Sequence, residues 1–246
     1  MKQYKNYIFD LYGTLVDIWT DEEDPALWQW LAGVYASYGA QYSAEEICAR
    51  YHQLVAELEA ELAAKTGVQY PEIRLEDVFI RLLAERNPKT VEIPAIADLG
   101  TWVELLATTF RLLSRRRLLA YESTIPVLTE LKKRGCGVHL LSNAQAVFTW
   151  PELRLTGVAP LLDSVNISSD CGMKKPQPQF MQKLLKEQDI SDTVMVGNDF
   201  ATDIAIAAAC GVDAVFINTF NYSPERIARE NIWGVPVISD LCELLG

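Results

Sequence analysis

Histidine is scarce in this chain, and its cysteines come unpaired. His52 and His139 are the only histidines, while Cys48, Cys136, Cys171, Cys210 and Cys242 are scattered, odd in number and without a CxxC spacing. The pattern argues against a zinc site or a disulfide framework, leaves a catalytic cysteine short of a base, and predicts reduced thiols in a cytoplasmic protein. Excess positive charge is also lacking: 33 acidic residues outnumber 22 basic ones, for a net charge of −11. Nucleic acid and anionic membranes reward an excess of Lys and Arg, so neither is expected as a partner. A small anionic substrate stays admissible where local cations override the global field. No apolar run approaches bilayer length; the most apolar late stretch, Ile204–Val212, is far too short. The first residues lead into a strand with no apolar h-region or cleavage site, so a soluble, intracellular chain is expected.

The chain does contain 50% hydrophobic residues, enough for one large α/β domain or a core with an insert. An apolar run at Tyr4–Phe9 reads as a strand that stops at Asp10, where Gly13 and Thr14 supply a turn. From Asp17 to about Tyr121 strand-like runs are absent, and helical patterning predicts an insert. Its elements are read as Pro25–Tyr38, a helix capped by Ser43 and Glu46 that runs to about Lys65 before Gly67, then Leu75–Glu85, a break at Asn87-Pro88, and Gly100–Leu118. The apolar stripe Leu27, Trp28, Trp30, Leu31, Val34, Tyr35 is read as helix-packing core. The run Arg115-Arg116-Arg117 is read as a solvated face at a helix C-terminus, where the dipole favours cations. Beyond Thr124, helices and strands alternate: strands at Val138–Leu141, Ser164–Ser168, Val194–Val196, Ala214–Ile217 and Val235–Ile238, with helices at Ile125–Arg134, from Ala146, Gln179–Gln188 and Ala201–Cys210. That alternation predicts a doubly wound parallel sheet. The expected division is an α/β core from residues 1–16 and 122–246 with a helical domain at 17–121.

In such a sheet ligands bind at the carboxyl ends of the strands. Asp10, Ser142, Lys175, Asp199 and Asp203 all follow strands. Each has a plain structural reading: Asp10 as a turn cap, Ser142 and Asp199 as N-caps, Lys175 as a surface lysine, Asp203 as an exposed helix residue. Together they fit phosphoryl transfer. Asp10 and Asp199 would share a Mg²⁺, a hard cation that takes one or two carboxylates plus phosphate oxygens. Lys175 and the Ser142 hydroxyl would cradle the phosphate, and Asp203, four residues after Asp199 on the same helix face, would hold a metal-bound water or orient Lys175. Asp10 would carry the phosphoryl group.

Four segments carry a family resemblance: Phe9-Asp10-Leu11-Tyr12-Gly13-Thr14-Leu15, Leu141-Ser142-Asn143, Gly172-Met173-Lys174-Lys175-Pro176 and Gly197-Asn198-Asp199-Phe200-Ala201-Thr202-Asp203. In this order they resemble the motifs of the haloacid dehalogenase (HAD) superfamily of hydrolases. The resemblance implies a Rossmann-like core, an α-helical cap inserted after the first motif, Asp10 as nucleophile, and Thr14, Ser142, Asn143 and Lys175 at the substrate. It also implies Mg²⁺ held by Asp10, the residue-12 carbonyl, Asp199 and Asp203. Lys175, directly before Pro176, fits the third motif better than Lys174.

One position departs from the pattern. The family's phosphatases carry an aspartate two residues after the nucleophile as general acid/base, and here Tyr12 stands there, which resembles the metal-independent 2-haloacid dehalogenases. General acid/base catalysis is worth about 10²–10⁴ in rate. Tyr12 itself, Glu22, Glu23 or His52 is the stand-in considered. The Asp199…Asp203 pair, and the absence of an arginine early in the insert better placed for a halide than Arg50, favour the phosphatase. The expectation is a Mg²⁺-dependent phosphatase of a small phosphorylated metabolite. A 2-haloacid dehalogenase and a catalytically weak phosphometabolite-binding or interaction protein are the alternatives, with the monomer and homodimer both open.

Overall fold

The computed structural model describes residues 2–86, 96–186 and 188–246. Its centre is a six-stranded parallel sheet in the order β5-β4-β1-β6-β7-β8, formed by β1 (Asn6–Phe9), β4 (Gly137–Ser142), β5 (Ser164–Ile167), β6 (Thr193–Gly197), β7 (Asp213–Ile217) and β8 (Val237–Ile238). β1 lies between β4 and β6, with Phe9 in register with Leu140 on one side and Val196 on the other. The loop that begins at Asp10 therefore leaves the middle of the sheet, flanked by the strand ends that carry the second and fourth motifs.

The two-residue period of a strand assigns the faces. Tyr7, Phe9, Val138, Leu140, Val194 and Val196 pack on one side, against Val127, Leu128 and Leu131 of α5 (Thr124–Lys133) and Leu153 of α6 (Ala146–Leu155). Ile8, Leu141, Met195 and Phe216 pack on the other, against Phe180, Met181 and Leu184 of α8 (Pro178–Leu185) and Ile206 of α9 (Ala205–Cys210). A short α7 (Ser168–Cys171) follows β5, and α10 (Pro224–Glu230) follows β7.

Among the described residues four helices precede these: α1 (Pro25–Ser37), α2 (Ala44–Thr66), α3 (Leu75–Arg86) and α4 (Leu99–Ser114). They bury a core of their own, in which Leu27, Trp28, Leu31 and Tyr35 meet Tyr51, Phe79 and Phe110. The stripe read from sequence is thus packing surface, with Trp30 and Val34 partly buried at its edge. α2 opens on the Ser43/Glu46 capping box and closes on Gly67 in the left-handed region. The Asn87-Pro88 break lies outside the described residues.

Two expectations need correction. The segment after Asp17 does contain strands: β2 (Val16–Thr20) and β3 (Arg115–Ala120) form an antiparallel ribbon at the root of the helical layer. Accordingly α4 stops at Ser114, and the three arginines lie in β3, not at a helix C-terminus. The reason is tertiary. Pairing with β2 satisfies one edge of the β3 backbone, and each guanidinium finds an acid that sequence distance hides: Arg115 with Glu152, Arg116 with Asp24, and Arg117 with Asp17. All five cysteines are free, and among the described residues no helix is long and apolar enough to cross a membrane.

Candidate active site

Asp10 continues the central ladder by one bond, its N–H donating to the Val196 carbonyl at 3.0 Å. The residue is 7% exposed. Oδ1 takes the Lys175 ammonium at 2.6 Å, and the same Nζ reaches Asp203 Oδ1 at 2.6 Å. Lys175 and Asp203 are buried more deeply still. One ammonium therefore serves two carboxylates away from water. Burial works against the Lys175 charge, but Asp10 and Asp203 outweigh it and hold the ammonium above its ordinary value. Burial pushes the Asp203 carboxyl up to about 7, with Lys175 opposing and Asp10 adding to the rise.

Asp203 owes its inward position to an irregular turn. After β6 the chain makes a π-helical turn, Phe200–Ile204, with the N–H groups of Asp203 and Ile204 both donating to the Asp199 carbonyl. Asp203 Oδ2 accepts from the N–H groups of Asn198 and Asp199 at 3.0 and 3.1 Å. Gly197 makes this approach possible, since a Cβ there would stand 2.3 Å from the Asp203 carboxyl group. A π-turn beside chemistry-bearing residues is a recurrent functional device.

Asp199 and Asp203, expected on one helix face, part company. Asp199 is exposed, and its Oδ1 accepts from the N–H groups of Ala201 and Thr202 at 2.6 and 3.1 Å, the N-cap role. At this strand end it is Asn198 that meets the loop after Asp10. Its Oδ1 and Asp10 Oδ2 each lie 3.3 Å from the Thr14 hydroxyl. That hydroxyl has a single proton and satisfies one of the two oxygens at a time. Gly13, at φ +82°, closes the contact: a Cβ there would fall 2.3 Å from Asn198 Nδ2. The signal for Asn198 in the sequence was its place directly after the glycine that ends β6.

Asn143 is turned to the lysine's backbone, its Oδ1 accepting from the Lys175 N–H at 2.7 Å and its Nδ2 donating to the Lys175 carbonyl at 3.0 Å. Ser142, at the end of β4 beside β1, is 1% exposed, and its hydroxyl has no hydrogen-bond partner. Lys174 points elsewhere and pairs with Glu59 of α2. Of the remaining candidates, Arg50 is engaged by Glu57 and Glu85, His52 is exposed and lies against Trp28 and Tyr51, Glu22 is half-buried and Glu23 exposed.

Tyr12 has partners that sequence reading missed. Its hydroxyl donates to the Glu152 carboxylate of α6 and lies 3.3 Å from the Thr149 hydroxyl. Glu152, 1% exposed, also receives Arg111 of α4 at 2.9 Å and Arg115 at 3.1 Å. Burial, and then the Glu152 charge, push the phenol well above its ordinary range, so it stays protonated at neutral pH. Among the described residues no three His, Cys, Asp or Glu side chains gather as a metal site.

Comparison with known proteins places the family and the fold. A family model for haloacid dehalogenase-like hydrolases matches residues 4–211. Over 172 residues the chain is 31% identical to a glyceraldehyde 3-phosphate phosphatase of Methanocaldococcus jannaschii, covering 69% of this chain and 70% of that protein. It is 29% identical over 130 residues to the enzyme of the same name from Methanothermobacter thermautotrophicus, 52% of this chain and 58% of the relative, so this match spans little more than half the relative's length. Among solved structures, a 2-haloacid dehalogenase of Pseudomonas syringae superposes with a TM-score of 0.65 at 20% identity, covering 99% of this chain and 97% of that one, a likeness of fold. With the motif residues gathered at the carboxyl edge of the parallel sheet and the family model spanning most of the sequence, the chain belongs to the haloacid dehalogenase-like hydrolases.

Proposed function

We propose that the protein hydrolyses a small phosphorylated metabolite by phosphoryl transfer to Asp10, with helices α1–α4 of the 17–121 segment serving as its cap. The observation that carries this is the charge count: two buried carboxylates, Asp10 and Asp203, share one ammonium. The phosphatase names of the relatives support the same reading.

The donor set fits Mg²⁺. Asp10 Oδ2 and Asn198 Oδ1 converge on a hydroxyl that can satisfy only one of them, and both are hard oxygen donors. These two, with the Tyr12 carbonyl, would hold the ion; Asp199, committed to its cap through Oδ1, borders the site. A bound Mg²⁺ supplies positive charge that offsets the repulsion between an anionic nucleophile and an anionic phosphate.

The chain's own groups do the rest. Asp10 forms the new O–P bond as the bond to the leaving oxygen breaks, and water then hydrolyses the aspartyl phosphate. Lys175 steadies Asp10 and screens the incoming charge, itself fixed by Asp203 and the Asn143 clamp. The unpartnered Ser142 hydroxyl donates to a phosphate oxygen. The Tyr12 phenol, bound to Glu152, takes no part in proton transfer.

The test is phosphate release from p-nitrophenyl phosphate and from a panel of sugar and amino-acid phosphates. Turnover that requires Mg²⁺ and disappears with EDTA or in Asp10→Asn is the expected outcome. A second reading rests on the neutral Asn198 amide, which suits attack on a monoanionic 2-haloacid without metal. Chloride release from 2-chloropropionate in EDTA, with no phosphatase activity, would replace the first reading by the second.

A further inference from the structure

We infer that Lys174 and Gln177 are positioning residues that make the placement of Lys175 depend on docking of the helical layer. The loop from Gly172 to Gln177 belongs to neither the sheet nor a helix, so its backbone polar groups need partners from elsewhere. On the core side Lys175 has the Asn143 clamp. Within the loop the Gln177 N–H donates to the Lys174 carbonyl at 2.9 Å, and further partners come from the segment joining α2 to α3. Met173 bridges antiparallel to Pro71, the Lys174 N–H donates to the Tyr70 carbonyl at 3.0 Å, and the Glu72 N–H reaches the Gly172 carbonyl at 3.4 Å. Gln177 Oε1 accepts from the N–H groups of both Gln69 and Tyr70, at 3.2 and 3.3 Å. Lys174 Nζ pairs with Glu59 at 2.6 Å, fastening the same loop to α2.

The loop's backbone is thus held on the core side by the Asn143 side chain and on the other side by the helical layer, while the Lys175 ammonium itself bonds Asp10 and Asp203. Lys175 must lose its hydration to sit between Asp10 and Asp203, and it tolerates this only where both carboxylates are met squarely. When the 69–72 segment lifts, the N–H of Lys174 and the side chain of Gln177 lose their partners together, and the lysine loses its fixed approach. The two adjacent lysines then divide the work: Lys175 serves the nucleophile, and Lys174 reports whether the helical layer is in place.

This rests on the phosphatase reading for its kinetic arm but not for its structural arm. Glu59→Lys places a like charge against Lys174, and Gln177→Leu removes the acceptor from two backbone N–H groups. With p-nitrophenyl phosphate and Mg²⁺, each is expected to lower kcat about tenfold, with KM changed less than about twofold. The charge-swapped Glu59→Lys/Lys174→Glu chain is expected to recover most of the loss. Hydrogen–deuterium exchange is read on the same proteins whether or not they turn over. Amides 172–177 should exchange at least about fivefold faster in both single variants and return in the swap, with β1 and β6 unchanged. Unchanged exchange at 172–177, or a swap that rescues neither readout, would overturn the inference. Absent turnover in the parent chain with the exchange pattern intact would sink the phosphatase reading alone.

Discussion

The Tyr12 hydroxyl donates to the carboxylate of Glu152, 140 residues further along the chain. This bond engages the side chain two positions after Asp10. It also ties the loop after Asp10 to a buried cluster in which Glu152 meets Arg111 and Arg115 from the helical layer and its ribbon.

Tyr12→Phe should therefore leave kcat within about threefold of the parent, where loss of a general acid/base would cost about 10²–10⁴. Stability should fall by about 1–2 kcal/mol, because Glu152 loses a buried donor. Steady-state kinetics and urea denaturation on the same variant separate the two effects.

Lys175→Met should abolish turnover and destabilise the fold by about 3–5 kcal/mol, since it leaves Asp10 and Asp203 buried without their counter-charge. Adding Asp203→Asn to it should restore part of that stability but none of the activity. Thermal melts of the single and double variants provide the measurement.

Asn198 and Asp199 have opposite expected roles. Asn198→Asp places a second carboxylate beside Asp10 and should lower the Mg²⁺ concentration for half-activation about tenfold, a charge effect of about 1.4 kcal/mol. Asp199→Ala should cost about 1 kcal/mol of stability through the lost cap, with turnover reduced only slightly. A Mg²⁺ titration of both variants decides the register; loss of activation in Asp199→Ala would move the metal to that carboxylate.

His139, in β4, is 6% exposed, with Nδ1 on the Ser164 hydroxyl at 2.9 Å and Nε2 without a partner. Burial lowers its pKa below the ordinary 6.5. The unfolded chain therefore binds the proton first, so this site's stability is present above pH 6.5 and lost as pH falls from there through the folded-state value. Melting temperature should drop between pH 7 and 5.5, and drop less steeply in His139→Phe. Parallel slopes for the two proteins would assign the acid sensitivity elsewhere.

Local sequence specified the sheet, because short apolar runs such as Tyr7-Ile8-Phe9 and the helical spacing between them are patterns that any packed solution must honour. It also determined that Asp10, Ser142 and Lys175 end near one edge, since strands joined by right-handed crossovers all point the same way. Tertiary structure alone decided the rest. Arg115–Ala120 became a strand because β2 and distant acids were waiting for it. A π-turn sent Asp203 inward and left Asp199 outside, a difference of one hydrogen-bond register that residue spacing does not encode. Tyr12 was drawn to Glu152, and Asn198 rather than its neighbour came to face Thr14, through contacts between residues more than a hundred positions apart. Where a side chain points is set by partners brought together only when the layers close.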